Sequence, residues 1–167
     1  MSKKKTLIIG LSVIVVCLLI AGIGMIVNRS QSREATAEEI AAHVPYAVDW
    51  TQVSGWQEGM SEQEFILSMC SYEGQTEVGD NVYDSYSSDT LAGFLYRCNE
   101  LSDIMVLNGI LYITYYPEGE DMVILGYDDS GLCEKAVYDG ETDTMFHELD
   151  GTATVWTKFR NGIQWGA

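Results

Sequence analysis

At 167 residues the chain has room for at most one membrane segment and a single compact domain of ordinary size. With 47% hydrophobic and 20% charged residues it can bury a core, which excludes disorder throughout. Its 25 acidic against 9 basic side chains exclude nucleic acid as a partner, because phosphate contacts need cations.

The charge is segregated along the chain. Lys3, Lys4, Lys5, Arg29 and Arg33 all precede the first acid, Glu34, so the first 33 residues carry +5. Residues 34–167 hold four cations against all twenty-five acids, a formal charge of −21. Between these blocks, Thr6 to Val27 is a run of twenty-two uncharged residues, fourteen of them Leu, Ile or Val. As a helix the run is roughly 33 Å long, enough to cross a hydrocarbon layer of about 30 Å. Its aliphatic side chains contribute roughly −4 to −8 kcal/mol to insertion. Three lysines and the amino terminus on one flank, against two arginines on the other, predict an internal N-terminus and place everything after Asn28 outside the cytoplasm. The expected layout is a basic cytoplasmic tail (1–5), a transmembrane helix (6–27), a juxtamembrane stalk with a short helix (28–44) and an extracytoplasmic domain (45–167).

The competing reading of the apolar run is a cleaved secretory signal. Its hydrophobic region normally spans about 7–15 residues and ends just before a small-x-small site. Here the run is longer, and Ala35-Thr36-Ala37 lies well past its end. Cys17 does not fit a lipoprotein signal, since Val16 stands where a small residue belongs and uncharged residues continue beyond it. Gly10, Cys17, Ala21 and Gly24 form a small-residue stripe on which another helix would pack closely.

In the outer part, Asn28 to Glu34 reads as a polar stalk. Thr36 with Glu39 forms a capping box that opens a helix over Thr36 to His43, stopped before Pro45. Ser61 with Glu64 repeats the signature, and Phe65, Ile66, Met69, Cys70 and Tyr72 continue at helical spacing to predict a helix over 62–72. Gly74 to Ser88, rich in Gly, Ser, Asn and Asp, reads as a loop. Asp89 caps a third predicted helix, whose apolar face is Leu91, Phe94, Leu95, Cys98 and Leu101.

After Ser102 the period changes. Asn108-Gly109, Pro117-Glu118-Gly119, Asp129-Ser130-Gly131, Asp139-Gly140, Asp150-Gly151 and Asn161-Gly162 punctuate β-branched and aromatic runs, as hairpin turns do. The expected strands are 104–107, 110–116, 121–127, 132–138, 144–149, 152–160 and 163–165, joined as a meander. Met122-Val123-Ile124-Leu125 is apolar on both faces and predicts a central strand covered on both sides. There is room for only one or two propeller blades, fewer than that fold needs. The fold class is therefore α+β: a single transmembrane helix followed by two or three short helices packed on an antiparallel β-meander sheet.

Candidate chemistry is sparse. Cys70 and Cys98, on two helices expected to pair, are candidates for a disulfide, with two buried thiols as the alternative. Cys70 or Cys133 with His147 is the only pairing from which a Cys/His hydrolase could be built, and no local motif supports it. No CxxC, HExxH or GxSxG motif occurs. Asp80, Asn81, Asp84 and Asp89 crowd one segment and form a candidate calcium site, although turns need the same residue types. Trp156, standing beside Lys158 on one face of a predicted strand, is a candidate binding contact.

The functional expectation is a non-catalytic, strongly acidic accessory or protein-interaction domain. A single-pass anchor holds it at the cell membrane, and no cofactor is needed beyond the candidate calcium. Its charge favours a cationic protein partner. The rival readings are a subunit of a larger membrane assembly, contacted through the span itself, and the small hydrolase.

Overall fold

The computed structural model describes residues 31–79, 81–119 and 122–157. The predicted tail and transmembrane helix, residues 28–30 of the stalk, Asp80, Lys158 and the strand expected at 163–165 lie outside them. Among the described residues no helix is long and apolar enough to cross a membrane.

The described chain is built on one antiparallel sheet of nine strands: β1 (Gln31–Glu34), β2 (Ser71–Val78), β3 (Asn81–Ser87), β4 (Cys98–Leu107), β5 (Ile110–Pro117), β6 (Met122–Asp128), β7 (Gly131–Asp139), β8 (Thr144–Leu149) and β9 (Thr152–Thr157). From β2 to β9 each strand pairs with the next, and β1 returns to pair with β9. This is the expected meander, with two strands more at its start than the sequence pattern indicates. Tight two-residue turns set its register. Asn108 and Gly109, and again Asp150 and Gly151, all take positive φ, as the turns that match strand twist require. Central β6 is buried from Met122 through Tyr127, as its two-sided apolar pattern predicts.

Among the described residues two short α-helices are present, α1 (Ala37–His43) and α2 (Glu62–Ser68). Both expected capping boxes form. Thr36 accepts from Glu39 N while the Glu39 carboxylate accepts from Thr36 N, and Ser61 and Glu64 repeat the arrangement. Phe65 and Ile66 of α2, with Tyr46, Trp50, Leu91 and Leu95 from short 3-10 turns and loops, pack on Ile104, Leu111, Ile113, Tyr115, Val123, Leu125, Val137 and Phe146 of one sheet face. The opposite face buries Tyr83, Met105, Leu107, Tyr112, Met122, Ile124, Ala136, Tyr138 and Met145, all on strands. Nine strands twisting by about 20–25° at each pairing turn through about 160–200°, so the sheet curls and these large side chains enclose one another.

Four expectations are corrected. Residues 31–34 are not stalk but strand β1. Their polar sequence carries no alternation, and they are held by pairing with β9 and by the ion pair of Arg33 with Glu39. The helix expected over 62–72 ends at Ser68, because from Ser71 the backbone pairs with β3. The loop expected over 74–88 is mostly the β2–β3 hairpin, an edge hairpin whose largely exposed side chains hide the two-residue period. The helix expected from Asp89 to Leu101 is a 3-10 turn at Leu91–Gly93 followed by β4. Bulges at Cys98/Glu100 and Leu101/Asp103 put Cys98, Leu101 and Ile104 toward the same cluster at intervals of three, which imitates a helical stripe.

Candidate functional site

The second sheet face carries a polar network among its apolar side chains. Gly126 of β6 pairs with Glu134 of β7 and with Tyr112 of β5, and Ala136 pairs with His147 of β8. A Cβ at Gly126 would meet both Glu134 Cβ and Tyr112 Cε1 at 3.1 Å, so glycine is what lets these two side chains close over the strand. Tyr112 then donates to Glu134 Oε2 at 3.3 Å, and His147 Nε2 lies 2.8 Å from Glu134 Oε1. All three side chains are buried. Burial, with the Glu134 carboxylate in second place, raises the Tyr112 phenol well above its ordinary range. Both Glu134 oxygens are thus engaged. Thr154 donates to the His147 carbonyl at 3.3 Å, and Trp156 Nε1 donates to Thr154 Oγ1 at 3.0 Å, which extends the network to β9.

Trp156, expected to stand exposed beside Lys158, is half-buried and packed against the second cluster. Of the candidate calcium residues, Asp80 lies outside the described residues, and the other three do not converge. Asn81 and Asp84 lie three apart on β3 and so point to opposite sheet faces, and Asp89 lies beyond the strand. Asp84 Oδ1 instead accepts from Tyr72 at 3.3 Å and from Gln75 at 3.0 Å. Among the described residues no group of three or more His, Cys, Asp or Glu is placed to hold a metal.

Cys70, Cys98 and Cys133 are free thiols. The bridge between Cys70 and Cys98 was expected across two paired helices. Cys70 instead follows α2 and Cys98 opens β4. Cys70 donates to the Ile66 carbonyl at 3.2 Å and Cys133 to the Gly126 carbonyl at 3.4 Å, while His147 is paired with Glu134. Burial pushes the Cys70 thiol up to about 11. Burial also raises Cys98, and raises Cys133 with the carboxylates of Asp128 and Glu134 adding to it. This is the opposite of what a thiolate nucleophile requires.

An exposed cluster of aromatic and polar side chains lies on the β2–β3 hairpin. Tyr72, Gln75 and Glu77 of β2 pair with Tyr86, Asp84 and Val82 of β3, which places all six on one face. The Tyr72 and Tyr86 rings meet edge-on at 5.4 Å, and Tyr72 and Val82 are 57% and 51% exposed. Sequence reasoning did not assemble this site, because it put Tyr72 at the end of a helix, read 74–88 as a loop and took Asp84 for a calcium candidate; the signal was the pair Tyr72 and Tyr86 near the two ends of that polar stretch. Compared with known proteins, this chain matches no family model, no curated protein and no solved structure.

Proposed function

We propose that the protein is a membrane-anchored, extracytoplasmic accessory domain that binds other proteins and performs no catalysis. The observation that carries this reading is the order of the sequence: a short basic tail, twenty-two uncharged residues, then a domain of formal charge −21. A basic flank sets the internal side and an apolar run of this length anchors. Only residues 28–30 separate that run from β1, so the β1 edge of the sheet stands within about 14 Å of the end of the span. The arrangement of polar groups agrees with a binding role. The buried Tyr112, Glu134 and His147 satisfy one another, the three thiols of the domain are held protonated, and the edge hairpin brings exposed acidic and aromatic groups together.

The test is protease added to intact cells, read with an antibody against residues 34–167. The domain is expected to be digested while an internal marker survives, and a domain that stays intact until the cells are lysed overturns the location. Pull-down with the full-length protein at low and high salt reads the second part. Partner capture is expected to fall as salt rises, because contacts made to an acidic surface are screened.

A further inference from the structure

We propose that the free edge of β2, together with the Tyr72–Tyr86–Asp84 face of its hairpin, docks an extended Lys- or Arg-bearing segment of a protein partner as an added strand. This inference rests on the reading of the outer domain as an interaction module.

The sheet has two edges, β1 and β2. β1 is four residues long and adjoins the segment read as the anchor, and its Arg33 is committed to Glu39. β2 is eight residues long and, among the described residues, pairs only with β3. β3 in turn pairs with β4 through Asp84, Ser85 and Tyr86 alone, so the hairpin tip projects beyond the rest of the sheet. The bulge between Tyr72 and Gly74, where Gly74 takes positive φ, leaves Gln75 to Val78 as a regular row whose outward N–H and C=O groups can receive another strand.

Charge selects the occupant. Residues 71–87 hold Glu73, Glu77, Asp80 and Asp84 and no Lys or Arg, and between Glu34 and Glu134 the sequence has one cation, Arg97. Arg97 lies over the Tyr96 ring, 4.8 Å from its centroid. A second copy of this chain pairing edge to edge would bring a second set of Glu73 and Glu77 against the first, and like charges across strands repel. A segment with alternating cations meets Glu77 and Asp84 instead. The half-exposed ring of Tyr72 beside them offers a cation–π face and apolar area for the cation's methylene stem.

The probe is a fluorescein-labelled, acetylated ten-residue peptide alternating Lys with Val, titrated by anisotropy into the full-length protein in detergent micelles at low salt. A second peptide of equal charge, with Pro replacing Val, cannot donate strand hydrogen bonds at those positions. The proline peptide is expected to bind about tenfold more weakly. Glu73→Lys/Glu77→Lys is expected to weaken the Lys-Val peptide by at least about tenfold and Tyr72→Ala by about fivefold. Glu118→Lys/Glu141→Lys, an equal charge change at two exposed residues outside the hairpin, is expected to leave it within about twofold. Equal binding of the two peptides, or equal loss from both charge reversals, overturns the docking edge. If the Glu73→Lys/Glu77→Lys protein still captures partners in a salt-sensitive way from intact cells, the edge is refuted while the interaction reading stands. A domain shielded from external protease refutes the reading itself, whatever the peptides do.

Discussion

Replacing Gly126 with alanine tests whether the Tyr112, Glu134 and His147 network depends on a missing side chain. Gly126 sits in β6 without positive φ, so alanine meets no backbone strain there. The obstacle is space. The new methyl stands 3.1 Å from Glu134 Cβ, which is fixed to the neighbouring strand, and 3.1 Å from the ring of Tyr112, which is itself 1% exposed. Neither neighbour is the loose end of a flexible side chain. Overpacking of this kind costs about 1–3 kcal/mol. Alanine returns about 0.5–1 kcal/mol, because the unfolded chain loses less freedom than glycine would. From the middle of these ranges the net expectation is a loss of about 1 kcal/mol, which for a domain of this size lowers Tm by about 3–6 °C.

The assay is thermal and urea unfolding of the full-length protein in micelles, followed by near-ultraviolet circular dichroism, whose signal comes from the aromatic core. Two companions make the result specific. Gly93→Ala, where nothing lies within 4 Å of the added atom, is expected to be neutral or slightly stabilising. Tyr112→Leu should absorb part of the Gly126→Ala penalty, with a coupling of at least about 0.5 kcal/mol in the double-mutant cycle. A Gly126→Ala protein as stable as the parent, or strictly additive behaviour with Tyr112→Leu, refutes the packing account.

Two further outcomes follow from the perturbed groups. Glu39, exposed on α1, is held down to about 2 from an ordinary 4.5, chiefly because Arg33 donates to it and next because the Thr36 N–H does. Its contribution is therefore complete above about 4.5 and is lost as pH falls toward about 2, so the protection of β1 amides, taken relative to the intrinsic exchange rate at each pH, should fall across that window. Glu39→Gln should flatten the dependence, and an unchanged profile in that variant refutes the assignment. Cys70, pushed up to about 11 from 9.0, should react with iodoacetamide at pH 8 about a hundredfold more slowly than an unperturbed thiol, read site by site by peptide mass spectrometry. Rapid labelling of Cys70 in the folded protein refutes its burial.

The second half of the fold was legible because its signals are local. Asn108-Gly109 and Asp150-Gly151 need no knowledge of distant residues to act as turns, and the runs between them alternate or, in β6, are buried on both sides. The capping boxes at Thr36 and Ser61 were legible for the same reason. The first half was misread where pairing outweighs pattern. β1 forms because β9 offers it a partner, β2 and β3 are polar edge strands, and the bulges in β4 convert a two-residue period into steps of three. The buried network was half visible. His147 was placed on its strand, but Glu134 looked like one acid among twenty-five until Gly126 brought it against Tyr112.

The division of the sheet's surfaces bears on where a partner can act. One face is roofed by α2 and the loops that carry Tyr46, Trp50 and Leu91, and the other is filled by its own tyrosines and methionines, so neither face is free for a large ligand. On the proposed reading, binding falls to the rim. Of the two edges, β1 adjoins the run read as an anchor, while β2 lies eight strand spacings away along the sheet, about 38 Å before curling. If the anchor holds the β1 edge at the membrane, the edge with unpaired backbone, exposed tyrosine and clustered carboxylates is the one the anchor leaves free. A domain tethered at one rim and reactive at the other can bridge a membrane to a partner without any opening of its core. Loss of partner capture after changes at β2, with no change after comparable substitutions at Glu118 and Glu141, is therefore the pattern expected of this geometry.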